Sequence, residues 1–152
     1  MSADNSAAVV RHTQDNIALI YMQNPPVNAL SQAVRVGLIE EIGSALQDDS
    51  VEAIVLSSQL KLFSGGADIS EFAGGKFDPP LPAVLELIEQ ASKPIIAVLN
   101  GPAFGGGLEV ALSCHYRVTF ADNKIGLPEV NLGILPGAGG TQRLPRLAGV
   151  AK

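Results

Sequence analysis

PIIAVLNGPAFGGGLEVALSCHYRVTF, residues 94–120, holds the decision about the fold. Ile95 to Leu99 is a short apolar run rich in β-branched residues, and Pro94 resets the backbone just before it, so the run reads as a buried strand. Three successive glycines, Gly105 to Gly107, lead into an apolar stretch, Leu108 to Ser113, that suits a helix. Arg117 to Phe120 then reads as another short strand. Strands separated by helical runs in this order favour an α/β fold with a largely parallel sheet.

The same alternation extends towards the N-terminus. Residues 83–91, AVLELIEQA, place Val84, Leu85, Leu87, Ile88 and Ala91 at positions that suit a short helix. Val51 to Ser57 reads as a buried strand. Before it, Ser31 is placed to cap a helix whose apolar residues Val34, Leu38, Ile42 and Ala45 recur at helical spacing through Leu46. Ile17 to Met22 is a further strand, closed by the turn signal Asn24-Pro25-Pro26. No internal sequence repeat accompanies this alternation, and Gly74 to Pro82 reads as a polar, Gly/Pro-rich mobile loop.

Composition narrows the function. With 152 residues, 47% of them hydrophobic and 16% charged, the chain is about one domain long and able to build a core. A scattered net charge of -5 argues against a nucleic-acid surface. The single cysteine, Cys114, rules out an internal disulfide framework, and with only His12 and His115 beside it no convincing metal set exists. The N-terminal MSADNSAAVVRHTQDN lacks the order of a secretory signal and no stretch is apolar enough to span a membrane, so the chain reads as soluble and intracellular.

Three segments interrupt the regular pattern, at residues 63–82, 100–107 and 126–140. Each follows or lies close to a strand end, where open α/β folds bind ligands. The triplet Gly105 to Gly107 at a helix N-terminus would let a ligand oxygen approach backbone N–H donors, or would permit close helix packing; both readings stand. Glu109 lies among Leu108, Val110, Ala111 and Leu112, surroundings that suggest a buried carboxylate suited to acid–base use, the alternative being a solvent-facing acid on one polar edge of the helix. Glu129, in GLPEVNLG, is a second acid that could share such work with Glu109, although taken alone it reads as a surface loop acid.

In FSGGADI, residues 63–69, Asp68 is placed to cap the next helix and the Ala67 amide is a second candidate donor. LPGAGGTQR, residues 135–143, is Gly-rich but lacks the Lys-Ser/Thr ending of a phosphate loop. Cys114 and His115 read as packing residues, and Arg143 and Arg146 as surface cations or partners of an acidic group.

Four of these stretches, NPPVNAL at 24–30, FSGGADI at 63–69, NGPAFGGGLEVALSCHYR at 100–117 and GLPEVNLGILPGAGGTQRLPRL at 126–147, resemble the enoyl-CoA hydratase/isomerase, or crotonase, family over nearly the entire chain. NPPVNAL with GGGLEVALSCHYR is especially similar to the N-terminal hydratase/isomerase part of multifunctional fatty-acid oxidation enzymes, in which a 3-hydroxyacyl-CoA dehydrogenase part follows. Nothing here resembles that second part, and no NAD is assigned. The resemblance implies an α/β spiral of ββα units, with residues 1–152 the N-terminal core of such a domain, truncated before helices that cover the acyl pocket and mediate trimer contacts.

It further implies an oxyanion hole from the amides of Ala67 and Gly106, and two catalytic glutamates, Glu109 and Glu129. The reaction would be reversible syn hydration of a trans-2-enoyl-CoA in fatty-acid β-oxidation, with Δ3-Δ2 isomerisation as a further activity. Ala29, Ala67, Asp68 and Ile69 would contact the coenzyme A part, and Leu132, Gly133, Pro136, Gly137 and Gly140 would shape the acyl side, flanked by the loop from Ala73 to Pro82. No cofactor is held permanently; the coenzyme A thioester is the substrate. Self-association or fusion to a dehydrogenase part follows from the same likeness, and the compartment would be cytoplasmic or, alternatively, peroxisomal. A non-catalytic CoA-binding or assembly fragment and another acyl-CoA enzyme such as a thioesterase are the competing readings.

Overall fold

The computed structural model describes residues 7–74 and 78–150, and in it one unit of long strand, short strand and helix is wound four times. The first turn comprises β1 (Val9–Gln14), β2 (Ile17–Met22), β3 (Ala29–Leu30) and α1 (Gln32–Gln47). The second has β4 (Ala53–Ser58), β5 (Gly66–Ala67), a 3₁₀ turn (Ile69–Ala73) and α2 (Leu81–Glu89). The third has β6 (Ile95–Leu99), β7 (Ala103–Phe104) and α3 (Gly106–Ser113). The fourth has β8 (Tyr116–Thr119), β9 (Ile125–Gly126), a second 3₁₀ turn (Pro128–Leu132) and α4 (Gly140–Ala148). The repeat is one of topology and has no counterpart in the sequence.

The long strands form a sheet in the order β1-β2-β4-β6-β8, parallel except for β1, which pairs with β2 as a hairpin. Alternate residues of β2 and β6 are buried, Ala18, Ile20 and Met22 on one and Ile95, Ala97 and Leu99 on the other, the period expected of a strand with one face on a core. The helical stripe predicted from sequence, Val34, Leu38, Ile42 and Ala45, is fully buried along α1. Val84, Leu85 and Ile88 do the same for α2. Each such Leu or Ile contributes about 1.5–3 kcal/mol by leaving water, so cutting Ile42 to Ala would destabilise the domain by about 2–5 kcal/mol.

The short strands pair between neighbouring turns, β3 with β5 and β7 with β9, and a bridge between Ser64 and Ala103 joins the two pairs. This arrangement gathers the loops that leave the long strands into one region.

Several boundaries differ from the sequence reading. The N-terminal strand β1 was not anticipated: Arg11 to Gln14 are polar and His12 to Gln14 exposed, and the hairpin depends on Asp15 and Asn16 adopting φ values of 49° and 64°, the left-handed pair that a two-residue turn requires. Helix α2 begins at Leu81 with Pro82 in its first turn, where a missing N–H costs nothing, so Leu81 and Pro82 belong to a helix and not to the expected loop. Gly75, Lys76 and Phe77 of that loop lie outside the described residues. Helix α4 carries Pro145 inside it and starts after Gly139, features that read as a loop in one dimension.

Candidate active site

Gly105 precedes α3 with φ 51° and ψ -129°, a conformation suited to glycine, and turns the chain so that Gly106 opens the helix. An N–H at that first helical position has no partner within the helix. The Ala67 nitrogen stands 3.6 Å from where a Cβ on Gly106 would be, with Leu30 and Leu81 methyl carbons at 3.3 and 2.9 Å. The two predicted donor residues are therefore neighbours, although β5 and α3 belong to different turns of the spiral.

Both predicted glutamates come to the same place. Glu109, in the first turn of α3, is only 2% exposed, and its Oε1 accepts hydrogen bonds from the N–H groups of Ala138 at 2.9 Å and Gly140 at 2.8 Å. A buried carboxylate needs such donors. Glu129, on the second 3₁₀ turn, is half-buried and so is not the surface acid its sequence context suggested. Its Oε1 lies 3.2 Å from the Cβ position Gly105 leaves empty, and its Oε2 is buried with no hydrogen-bond partner among the described residues. Desolvation, reinforced by the charge of Glu109, holds the Glu129 carboxyl above its ordinary pKa against a smaller opposing backbone hydrogen bond. One carboxylate is thus pinned by two amides while its neighbour is desolvated and has one oxygen without a partner among the described residues, a division of environment that suits separate acid and base roles.

A cavity of about 380 Å³ lies against Ala67, Gly106, Glu109 and Glu129, and Leu30, Arg35, Glu71 and Leu81 also line it. A smaller one of about 100 Å³ lies beyond Gly65 and Ile69 and shares Ala67, Gly106 and Glu129 with the first. Among the other expected residues, Asp68 and Gly137 border the larger cavity and Ile69 and Leu132 the smaller. Asp68 also caps its 3₁₀ turn, accepting from the Ser70 N–H and hydroxyl at 3.0 and 2.7 Å. Gly140 packs against Glu109. Ala29 pairs in register with Gly66, while Gly133 ends a 3₁₀ turn in the left-handed region; neither these two nor Pro136 borders a cavity.

Two supporting sets complete the site, of which only Arg143, read as a surface cation or the partner of an acidic group, was named from sequence. Asn28 is fully buried at φ 47°; its Nδ2 donates to Ser58 Oγ at 2.6 Å and the Phe63 carbonyl at 3.2 Å. Ser64, also buried, donates to the Asn28 carbonyl at 2.7 Å and accepts from the Gly66 N–H at 3.1 Å. NPPVNAL and FSGGADI are thereby tied into one frame behind Ala67. On the opposite wall, Arg143 pairs with Glu89 at 2.7 Å and donates to the Ala138 carbonyl at 2.6 Å, so the residue whose N–H reaches Glu109 is held through its N–H and its carbonyl. Among the described residues, Arg146 donates to Gln142 on its own helix.

Arg35 was hidden by the helical periodicity, although its place beside Val34 on the buried side of α1 was a usable signal. Cys114 is buried and its thiol is pushed up to about 12 by desolvation, which removes it as a nucleophile. His115, expected to pack inside, is exposed, and its Nδ1 accepts from the Ile95 N–H at 3.1 Å.

Comparison with known proteins is decisive at this point: residues 12–152 match the Enoyl-CoA hydratase/isomerase family. The chain belongs to that family. Its four ββα turns are the family's crotonase-like fold. Among curated relatives, it is 53% identical over 135 residues to the peroxisomal bifunctional enzyme of Danio rerio, a match covering 89% of this chain and 19% of that protein. It is 46% identical over 147 residues to a probable enoyl-CoA hydratase of Bacillus subtilis, covering 90% of this chain and 55% of that one. Among solved structures, Pseudomonas aeruginosa DspI superposes with a TM-score of 0.88 at 34% identity, covering 99% of this chain and 64% of that one. The enoyl-CoA hydratase of Thermoplasma volcanium gives 0.87 at 33%, covering 96% and 61%. The chain thus spans about a fifth of the bifunctional relative and under two thirds of the other three proteins.

Proposed function

We propose that this family member catalyses reversible hydration of trans-2-enoyl-CoA to 3-hydroxyacyl-CoA, a step of fatty-acid β-oxidation. The observation that carries this reading is the meeting of Glu109, Glu129, Ala67 and Gly106 on one cavity. A thioester carbonyl seated between the Ala67 and Gly106 amides gains negative charge as water attacks C3, and fixed N–H donors stabilise that charge without reorganising. Glu129, whose protonated form is favoured by desolvation, gives a proton to C2. Glu109 holds the water and takes the proton the attack releases, and exchange through solvent restores Glu129. Both carboxyl groups on one side of the alkene make the addition syn.

The same acid–base pair would serve Δ3-Δ2 isomerisation, with a proton removed from C2, alpha to the thioester, in place of water addition and one delivered to C4. Residues 1–152 would form the N-terminal core of the hydratase/isomerase domain, contacting coenzyme A through Ala29, Ala67, Asp68 and Ile69, with Leu132, Gly133, Pro136, Gly137 and Gly140 on the acyl side. The peroxisomal and glyoxysomal names of several relatives favour a peroxisomal over a cytoplasmic setting, and fusion to a dehydrogenase part is the corresponding arrangement of the whole protein.

The test is conversion of crotonyl-CoA, followed by loss of enoyl-thioester absorbance, in the wild type and the Glu109→Gln/Glu129→Gln double variant. The variant should lose at least about 10²-fold in kcat while still binding acyl-CoA. Equal turnover in the two would overturn the assigned roles, release of free coenzyme A would indicate a thioesterase, and binding without wild-type turnover the non-catalytic alternative.

A further inference from the structure

Residues 78–82, DPPLP, lead into α2 and contain three prolines, none of which has an N–H to donate. Among the described residues the start of this segment is held through its carbonyls. Asp78 accepts from Gln32 Nε2 at 2.7 Å, Pro79 from Arg35 Nε at 2.7 Å, and Pro80 from the Ala83 N–H of α2 at 3.0 Å. Two of these three donors are side chains near the start of α1, so the entry to α2 hangs on the preceding turn of the spiral.

Arg35 has the larger hold. It is 3% exposed, and besides Pro79 it reaches the Leu30 carbonyl and Glu71 Oε2 through Nη1, the latter at 2.9 Å. Glu71 is itself fixed, accepting from the Gln32 N–H at 2.6 Å. A guanidinium is a rigid planar fork, so one side chain sets the mutual positions of Leu30, Glu71 and Pro79. Leu30 and Glu71 line the larger cavity, and Pro79 stands two residues before Leu81, which lines it as well.

Leu81 is what this hold places. Its Cδ2 lies 2.9 Å from where a Cβ on Gly106 would stand, a point 3.6 Å from the Ala67 nitrogen. An apolar group there keeps water from one side of both amides, and N–H donors in a water-poor site act more strongly on a charge that develops beside them. We propose that Arg35 is a positioning residue that acts through Leu81, holding that side chain as the apolar wall beside the Ala67 and Gly106 amides. This rests on the hydration reading of the site.

The test is a double-mutant cycle on crotonyl-CoA hydration, run where circular-dichroism melts show every variant folded. Arg35→Lys keeps the charge beside Glu71 but replaces the fork with a flexible point charge that cannot meet all three partners. It should lower kcat about tenfold and move KM by less than about threefold, the pattern of a misplaced reacting group. Leu81→Ala should do the same. The double variant should be no slower than Leu81→Ala alone, because residues that act through one another do not add. Should Arg35→Lys fail to fold, Gln32→Ala, an exposed substitution, removes the hook on Asp78; it should lower kcat about threefold in the wild-type background and not at all beside Leu81→Ala. Additive losses, about 100-fold in the Arg35→Lys/Leu81→Ala variant, would overturn the link between the two residues, and wild-type kcat in Leu81→Ala would overturn the role of the wall. Absence of turnover in the wild type would instead overturn the hydration reading, and this proposal with it.

Discussion

Glu129 Oε1 lies 3.2 Å from the point at which a Cβ on Gly105 would stand, and Gly105 has the positive φ of 51° that turns the chain into α3. One glycine therefore admits a carboxylate and sets the start of a helix. Gly105→Ala should strain the backbone by about 1–3 kcal/mol and displace Glu129. Tm should fall by about 2–4 °C per kcal/mol, and kcat for crotonyl-CoA should drop at least about tenfold. A circular-dichroism melt beside the hydration assay checks both; a lowered Tm with wild-type kcat would show that Glu129 tolerates the displacement.

Arg143 offers a subtler test because it touches the Ala138 carbonyl while the Ala138 N–H goes to Glu109. Arg143→Met should lower kcat more than it weakens binding. Glu89 is held below its ordinary pKa, first by the hydrogen bond from Arg143. A depressed carboxylate pKa gives stability that is present above the unfolded value and lost as pH falls through the folded one. The stability gap between wild type and variant, at most about 1 kcal/mol for so exposed a pair, should thus be present near neutrality and vanish in acid. Melts across that range would reveal it.

Glu129 behaves in the opposite sense. Its folded-state pKa is raised, chiefly by desolvation, so the native state binds more protons than the unfolded chain between the two values. Stability contributed by this group is full below the unfolded pKa and declines as pH rises through the folded one. Glu129→Gln should accordingly raise Tm at neutral pH relative to wild type and do so less in acid. A Tm difference that is flat with pH would contradict the desolvation.

Ser64→Ala keeps the Cβ that packs beneath Gly107 and removes only the hydroxyl. The Asn28 carbonyl then loses a donor and the Gly66 N–H an acceptor. The expected loss is about 1–3 kcal/mol, read from urea unfolding, with a decrease in kcat as the strand bearing Ala67 loosens.

The apolar periodicities carried most of the architecture. Ile95 to Leu99 is a strand with the bounds read from sequence, and the α1 stripe is buried as its spacing required. Strand β1 escaped because an edge strand with only Val9 buried leaves almost no alternation to detect, and its turn residues, Asp15 and Asn16, give a weaker signal than a glycine would. For the site, Glu109 betrayed itself as a lone acid in an apolar helix. Glu129 did not, because its burial comes from Gly105 and from Glu109, residues twenty or more positions away that only the winding of the chain brings near. Arg143 was read as a surface cation or the partner of an acidic group and does pair with Glu89, but its bond to the Ala138 carbonyl, like those of Arg35 to Leu30 and Pro79, was invisible, because a carbonyl has no letter in a sequence.

The cavity takes Leu30 and Arg35 from the first turn of the spiral, Ala67 and Glu71 from the second, Gly106 and Glu109 from the third, and Glu129 and Ala138 from the fourth. A molecule lodged there is in contact with every turn at once. Its binding energy would therefore be coupled to cooperative unfolding of the whole chain, in the manner of ligand linkage, and not to the ordering of one loop. Occupancy would act as a strap across the spiral, and any turn that opened would release it.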